Sequence, residues 1–156
     1  MADILLNVEG MKVYYPVKGD FRSGREFVKA VDGVSFEVRR GEVFGIVGES
    51  GCGKSTLGRG ICKLETPTAG KIVLSGEDIS SYGRKQMRSV RKKVQMVFQD
   101  PYASLNPRMT VGDIIGEPIR INKLMPEDQV EDRVTYLMNC VGLANHQRNR
   151  YPHEFS

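Results

Sequence analysis

Nine residues at positions 48–56 constrain this chain more than any other feature. They read GESGCGKST and fit the pattern G-x-x-x-x-G-K-[ST] in full. The apolar residues 43–47 before them predict a buried strand, and Leu57, Ile61 and Leu64 after them recur at helical spacing. Because a strand, a glycine-rich turn and a helix in this order aim backbone N–H groups at one point, we expect a loop that wraps an anion.

Each residue type in this loop suits the binding of a nucleotide. Gly48, Gly51 and Gly53 can take positive φ and let the backbone approach an anion closely. Lys54 places a mobile ammonium at the β- and γ-phosphates, and Ser55 is available to hold Mg²⁺. The alternative is a glycine-rich turn that matches the pattern by chance, and the flanking strand and helix patterns disfavour it.

The composition indicates a soluble globular chain of one-domain size. It has 156 residues, of which 40% are hydrophobic and 27% charged, and it contains no apolar run near the ~20 residues that cross a bilayer. The first residues lack the features of a signal peptide, so we expect the chain to stay in the cytosol. Three cysteines without a C-x-x-C pair favour free thiols over a disulfide framework or a zinc site.

The net charge of +4 permits a nucleic-acid partner, but the basic cluster at residues 84–93 has the spacing of a solvated helix face. Hydrophobic patterns predict an antiparallel strand over residues 3–15 and an exposed loop over 16–25. Further strands are predicted at 27–31, at 34–38 after an Asp32-Gly33 turn, at 71–74 and, buried, at 94–98; a helix is predicted at 82–91.

From residue 100 onward the pattern is helical and, on our interpretation, broken by prolines at 101, 107, 118 and 126. Thr110 is expected to cap a short helix that carries Val111, Ile114 and Ile115, with Asp113 reaching back to the cap. A longer helix is predicted from Pro126 to Gly142. Its apolar face is expected to comprise Val130, Val134, Leu137, Met138 and Val141.

Two further segments carry a family resemblance. Residues 96–111 read MVFQDPYASLNPRMTV, and the chain ends in RYPHEFS. Together with the loop at 48–56, they resemble the ATPases of ABC transporters, and residues 98–109 look like the branch that energises import of dipeptides, oligopeptides or nickel. Ser156 matches the serine of that family's signature motif. The resemblance covers essentially the whole chain, with three motifs in the correct order.

The resemblance implies an α/β fold: a P-loop NTPase core of ABC type with an N-terminal antiparallel β portion and a helical subdomain, truncated before the Walker B strand. It implies an ATP-binding core at residues 1–98 and an incomplete Q-loop and helical subdomain at 99–156. It places the strand at 43–47 in the centre of the sheet, flanked by strands encoded after the signature. We therefore expect residues 1–156 alone to be marginally stable, to associate through an open strand edge, to bind nucleotide weakly at best and to show no appreciable ATPase activity.

For the full-length protein, the resemblance implies an ATP-binding subunit that couples MgATP binding and hydrolysis to import, with peptides favoured over nickel as the solute. The implied partners are transmembrane permease subunits, a second ATP-binding subunit in a homo- or heterodimer and, indirectly, a solute-binding protein; no nucleic acid is expected. The implied location is peripheral, at the cytoplasmic face of the cell membrane. The permease and its receptor select the solute, so the transported molecule stays open.

The resemblance also implies roles for single residues. Gln99 matches the glutamine that contacts Mg²⁺ and the attacking water, and Tyr15 falls where the family stacks an aromatic ring on adenine. Tyr14 is the weaker candidate for stacking, and either tyrosine could simply pack on the strand. Lys54 and Gln99 form the implied catalytic set, and Ser55 and Gln99 the metal set. The implied nucleotide-binding set is Tyr15, Gly48, Ser50, Gly51, Cys52, Gly53, Lys54, Ser55 and Thr56.

There are two alternatives, one within enzymes and one from another functional class. A soluble P-loop NTPase or kinase would share the loop, but Gln99 followed by a helical segment that ends in Phe155-Ser156 argues against it. A non-transport ABC module that acts on nucleic acid is weakly permitted by the basic charge. The family's remaining catalytic groups, an Asp behind Mg²⁺, a Glu that polarises water and a switch His, lie beyond the signature.

Overall fold

A computed structural model describes residues 3–17 and 26–155 and divides the chain into two compact units. The first unit ends at Met96 and the second begins at Val97. Of the loop predicted at 16–25, residues 18–25 lie outside the described part, as does Ser156. The two units are described separately below.

The first unit is built on a four-stranded antiparallel sheet in the order β2-β1-β3-β4. The predicted first strand is confirmed as β1, and the strand predicted at 71–74 is confirmed as part of β3. The strands are β1 (Ile4–Pro16), β2 (Phe27–Arg39), β3 (Ala69–Leu74) and β4 (Glu77–Asp78). The long β1–β2 ribbon therefore forms the frame against which the rest of the unit packs.

Two glycines explain why the alternation in β1 and β2 is irregular. Gly10 has φ +56°, and the β1–β2 register shifts between Val8 and Met11. The side chains of Val8 and Met11 are therefore both buried, although they lie three positions apart in the strand. The predicted Asp32-Gly33 turn is wrong, because β2 continues through it as one strand. Gly33 takes φ +76° where the register shifts again, so the dipeptide forms a bulge within the strand.

A single hydrophobic core lies between the sheet and two helices, α1 (Lys54–Ile61) and α2 (Arg84–Val90). The helix predicted at 82–91 is confirmed as α2, which is shorter than predicted. Leu57 is buried as predicted, but Leu64 is exposed because α1 ends three residues before it. The buried core residues are Val8, Met11, Val13, Val31, Leu57, Ile72, Leu74, Ile79, Met87 and Val90.

The strand predicted at 43–47 is wrong for the described chain. The segment has no regular secondary structure and no strand pairing, and Val43 and Val47 are 99% and 92% exposed. Phe44 stacks on Phe36 of β2 with ring centroids 4.9 Å apart, so one face of the segment contacts β2. A strand also needs a hydrogen-bonded neighbour, and the described strands supply none for these residues. The same reason applies to the strand predicted at 94–98, which is likewise unpaired and leaves Val97 exposed.

The second unit is helical. Its two α-helices are α3 (Val111–Ile121) and α4 (Glu127–Cys140), and short 3₁₀ turns lie at Tyr102–Ser104, Asn145–Asn149 and Pro152–Glu154. The predicted cap is confirmed: Thr110 Oγ1 accepts a hydrogen bond from the Asp113 N–H and donates one to the Asp113 carboxylate. Gly142 takes φ +76° just after the end of α4, in agreement with the prediction.

Two details of the helical prediction are wrong. Pro118 is exposed and lies inside α3, which continues through it to Ile121. A proline removes one backbone N–H donor, and here the helix continues without that hydrogen bond. Val141 is exposed because it follows the last residue of α4. The hydrophobic core of this unit has four buried side chains, Ile119, Val130, Val134 and Met138.

Candidate functional site

The loop at residues 48–56 turns sharply before α1. Gly51 and Gly53 take φ +82° and +97°, a conformation that side chains other than glycine adopt at a cost. Gly53 is the N-cap of α1 and provides no side-chain hydrogen bond to it. Because the first N–H groups of a helix have no partner within it, this end of α1 can receive an anion.

Close packing against β2 fixes the position of Gly53. A Cβ atom on Gly53 would lie 2.1 Å from the carbonyl oxygen of Ala30, so no other residue fits there without backbone movement. At the other end of α1, a Cβ on Gly60 would lie 2.0 Å from Met11 Cε. The helix is thus anchored to β1 and β2 by two glycines, and the loop has a defined place beside the sheet.

The Lys54 side chain folds back over the loop. Its ammonium donates hydrogen bonds to the carbonyl oxygens of Gly48 at 2.7 Å and Glu49 at 2.6 Å, and lies 3.4 Å from Cys52 Sγ. Cys52 in turn packs against Gly48, where a Cβ would lie 2.7 Å from the sulfur. A positive charge is therefore held inside the curve of the loop, next to the N-terminus of α1.

A cleft of about 400 Å³ opens between β2, the segment at residues 43–47 and the loop at residues 48–56. Part of a nucleotide could occupy it. Lys29 and Asp32 of β2 line it. The sequence pattern placed Asp32 in a predicted turn and assigned neither residue a role in the site. The other lining residues are Ala30, Val31, Val34, Ile46, Val47, Cys52, Gly53, Lys54 and Leu57.

The oxygen donors of the loop have distinct positions. Ser55, in the first turn of α1, is exposed, as is Ser50 in the loop, whereas Thr56 is half-buried. Mg²⁺ is commonly held by one or two protein oxygens together with substrate phosphates and water, and an exposed Ser55 hydroxyl next to Lys54 fits that requirement. Among the described residues, no group of three His, Cys, Asp or Glu side chains is arranged to hold a metal.

Tyr15 lies near the end of β1, opposite Val28, and is 37% exposed. It does not line the cleft, although its strand neighbour pairs with Lys29, which does. Tyr14 already has partners within the protein: its hydroxyl donates a hydrogen bond to Asp32, and its ring lies 5.6 Å from Lys29 Nζ. The position of Tyr15 relative to adenine stays a prediction.

Asp32 is the centre of a small charged cluster. The Tyr14 hydroxyl, followed by the positive charges of Lys29 and Lys12, holds the pKa of the Asp32 carboxyl below its ordinary value. The two ammonium groups lie 3.5 Å and 3.8 Å from its oxygens. Asp32 therefore stays ionised at the edge of the cleft.

Gln99 belongs to the second unit, where it is exposed just before the turn at Tyr102–Ser104. The other candidate residues belong to the first unit, and the role of Gln99 stays a prediction. The second unit has a cleft of its own, of about 420 Å³, along α3 and the residues just before it. It is lined by Arg108, Met109, Asp113, Glu117, Arg120 and Ile121.

Comparison with known proteins adds three findings. A protein-family model described as "ABC transporter" matches residues 31–156. The chain is 48% identical to the oligopeptide transport ATP-binding protein AppF of Bacillus subtilis (strain 168) over 99% of its own length and 47% of the relative's. It is 44% identical to the dipeptide transport ATP-binding protein DppF of Escherichia coli (strain K12), over 97% of this chain and 46% of that protein. The chain thus spans about half the length of the curated relatives it matches.

Among solved structures, a dimeric post-hydrolysis state of the ATP-binding cassette MJ0796 bound to ADP and phosphate superposes with a TM-score of 0.81. It shares 22% sequence identity and covers 97% of this chain and 63% of the cassette chain. At this identity the likeness concerns the fold, and it confirms the predicted α/β class of ATP-binding cassettes. None of the helices in the described residues is both long and apolar enough to span a membrane.

Proposed function

The chain belongs to the ABC transporter family, and we propose that it forms the nucleotide-binding part of an ATP-binding subunit of a peptide importer. In the proposal, the first unit holds MgATP, and the second unit belongs to the Q-loop and helical subdomain expected at residues 99–156. Hydrolysis of ATP by the whole protein would drive import. Two similar relatives are named as oligopeptide and dipeptide transport ATP-binding proteins, which supports peptides over nickel as the solute.

The observation that carries this proposal is the loop before α1. It joins the N-terminus of a helix, glycines at positive φ and an ammonium held within its curve. A triphosphate supplies the negative charge that such a loop binds best, and it would replace the carbonyl oxygens as the partner of Lys54. The cleft beside the loop leaves room for the rest of the nucleotide next to β2.

The site residues have separate proposed roles. Backbone N–H groups of residues 48–56 bind the phosphates, Lys54 neutralises charge on them, and Ser55 holds Mg²⁺, which supplies further charge neutralisation when bound. Tyr15 stacks on the adenine, and Gln99 orients the attacking water and contacts the metal. Phosphoryl transfer depends on such positioning and charge stabilisation more than on covalent chemistry by the protein.

The proposed partners are transmembrane permease subunits and a second ATP-binding subunit, with a solute-binding protein acting indirectly. The dimeric state of the similar cassette supports the second subunit. In the proposal, the segment around residues 99–121 presents the surface for the permease: it begins with Gln99, and several of its residues line the cleft along α3. Such a subunit would lie at the cytoplasmic face of the membrane without crossing it.

The proposal is tested by ATP turnover and peptide uptake in the whole protein assembled with its permease. Lys54→Ala should lower both at least about a hundredfold, because a preorganised positive charge at the phosphates contributes several kcal/mol to phosphoryl transfer. Lys71→Ala is the matched control, since Lys71 is an exposed lysine of β3 outside the cleft lining and should leave turnover unchanged.

Two results would contradict the proposal. Turnover that survives Lys54→Ala would show that the phosphate loop does not perform catalysis. ATP turnover that is unaffected by peptide or permease would leave the nucleotide site intact but would remove the transport function.

A further inference from the structure

The cleft beside the nucleotide loop of the first unit has charged side chains on one wall. Lys29 and Asp32 of β2 line it together with Gly53 and Lys54. The wall is in direct contact with the loop, because a Cβ on Gly53 would lie 2.1 Å from the carbonyl oxygen of Ala30. A strand advances by about 3.3 Å per residue, so the backbone of Lys29 and of Asp32 lies within about 7 Å of Ala30. A ligand whose phosphates occupy the loop therefore has its next chemical group close to these two side chains.

Three side chains hold the Asp32 carboxylate in place. The Tyr14 hydroxyl donates a hydrogen bond to Oδ1, the Lys12 ammonium lies 3.8 Å from the same oxygen, and the Lys29 ammonium lies 3.5 Å from Oδ2. An ionised carboxylate offers about four lone-pair sites, so these contacts leave it able to accept a further hydrogen bond. The Asp32 side chain is 45% exposed, which leaves it accessible to a ligand in the cleft. Asp32 is thus a positioned acceptor with a negative charge.

The charges along the cleft favour one orientation of a nucleotide. The Lys54 ammonium, held by the carbonyl oxygens of Gly48 and Glu49, attracts phosphate to the loop. The Asp32 carboxylate repels phosphate and accepts hydrogen bonds without donating any. Directly beyond its α-phosphate, a nucleotide carries a ribose whose 2′ and 3′ hydroxyl groups are donors. In dinucleotide-binding folds, an Asp or Glu accepts a hydrogen bond from the ribose 2′-OH in the same manner.

We propose that Asp32 recognises the sugar of the bound nucleotide by accepting a hydrogen bond from a ribose hydroxyl group, and that it makes the site selective for ribonucleotides over deoxyribonucleotides. This inference rests on the proposed function, since it names the part of ATP that this wall of the cleft contacts. The adenine amino group is another donor of ATP, but the base lies one group farther from the phosphates than the ribose does.

Equilibrium binding of nucleotide analogues to the whole protein, with Mg²⁺ present, tests the contact. The wild type should bind ATP about tenfold more tightly than the one of 2′-deoxy-ATP and 3′-deoxy-ATP that lacks the bonded hydroxyl, because a hydrogen bond to a charged group is lost. In Asp32→Ala, ATP and both deoxy analogues should bind within about twofold of one another. The substitution also changes the charge of the cleft, but this change affects all three nucleotides alike. The ratio of their affinities therefore isolates the contact with the sugar.

Matched variants separate the carboxylate from other effects. Asp32→Asn keeps an acceptor oxygen without the charge, so the preference for ATP should fall to about threefold. Glu37→Gln is the control, because it makes the same kind of change at an exposed residue of β2 outside the cleft lining and should leave the preference intact. Inorganic tripolyphosphate carries the phosphates without a sugar. Asp32→Ala should bind it at least as tightly as the wild type does, because a negative charge near the phosphates is removed.

Four results would overturn the inference and leave the proposed function standing. Equal wild-type affinity for ATP and both deoxy analogues would show that the sugar is not recognised. A preference for ATP that survives Asp32→Ala would assign the contact to another residue. Equal losses of tripolyphosphate and ATP binding in Asp32→Ala would make its role structural. A preference for ATP over inosine triphosphate that disappears in Asp32→Ala would assign Asp32 to the base.

The proposed function fails by a different result. A folded wild-type protein that binds neither ATP nor tripolyphosphate would overturn the proposed nucleotide site, and this inference with it.

Discussion

The two compact units differ in how far apart in the sequence their interacting residues lie. In the first unit, the loop at residues 48–56 is a continuous stretch whose backbone and Lys54 side chain fold on one another within seven positions. In the second unit, Gly112, Glu131 and Arg148 meet from three separate elements across 36 positions of the chain. A local motif therefore serves the first unit and a long-range cluster the second.

This difference determines which amino-acid substitutions each unit tolerates. The loop depends on backbone conformation, so its sensitive positions are the glycines that only a small residue can occupy. The second unit depends on packing of α3 against α4 and on the ion pairs beside it, so its sensitive positions are buried side chains. Substitutions in each unit should show these separate sensitivities.

The largest effect is expected at Gly53. Gly53→Ala should lower the free energy of unfolding of the first unit by about 2–6 kcal/mol, because it adds strain at φ +97° and an overlap with the Ala30 carbonyl oxygen 2.1 Å away. Denaturant unfolding measures this change. Gly51→Ala separates the two causes: its φ is +82° but the space is open, so only the roughly 1–3 kcal/mol of strain should remain. Equal losses for the two variants would mean that contact with β2 does not position the loop.

The next largest effect is expected in the core of the second unit. Met138 is 0% exposed, and Met138→Ala should destabilise that unit by about 2–5 kcal/mol because it leaves a cavity. Val141→Ala, at a position 71% exposed, should change stability by less than about 0.5 kcal/mol. Unfolding should be followed by hydrogen exchange of α4. A loss of protection in β1 as large as that in α4 would contradict the division into two units.

The same contrast explains how much the sequence could predict. The loop, β1, β3, α2 and both caps of the second unit follow from local patterns and were found. The strands at 43–47 and 94–98 were predicted from apolar content, but strand pairing also needs hydrogen-bonded neighbours. The resemblance places neighbours of the strand at 43–47 after the signature, and the described strands supply none. The Glu131–Arg148 pair escaped prediction because charged residues 17 positions apart give no local signal. Lys29 and Asp32 line the cleft because β2 packs against Gly53 of the loop, a contact that the sequence does not reveal.

A smaller effect is expected at Tyr15. Tyr15→Ala should weaken MgATP binding by about 1–3 kcal/mol in equilibrium titrations, because an aromatic platform for the base is lost, and Tyr15→Phe should have little effect. Tyr14 is already bonded to Asp32 and should matter less. If Tyr14→Ala weakens binding and Tyr15→Ala does not, the assignment of the stacking residue is wrong by one position.

The smallest effect concerns pH at the edge of the cleft. Tyr14→Phe removes the hydrogen bond that most lowers the pKa of Asp32, so this pKa should rise toward its ordinary value in an NMR titration. Since the folded-state pKa is the lower one, the contribution of Asp32 to stability is present at neutral pH and is lost as pH falls through that pKa. Lys12→Gln removes a more weakly acting charge and should shift the pKa less. A pKa unchanged by Tyr14→Phe would show that the lysines alone hold Asp32 ionised.

The most direct measurement of the central claim is equilibrium binding of ATP to the wild type, Lys54→Ala and Ser55→Ala, each with and without Mg²⁺. Lys54→Ala should weaken binding under both conditions, because its ammonium contacts phosphate whether or not the metal is bound. Ser55→Ala should weaken binding mainly when Mg²⁺ is present. Equal affinity of the wild type and Lys54→Ala for MgATP would contradict the assignment of residues 48–56 as the nucleotide site.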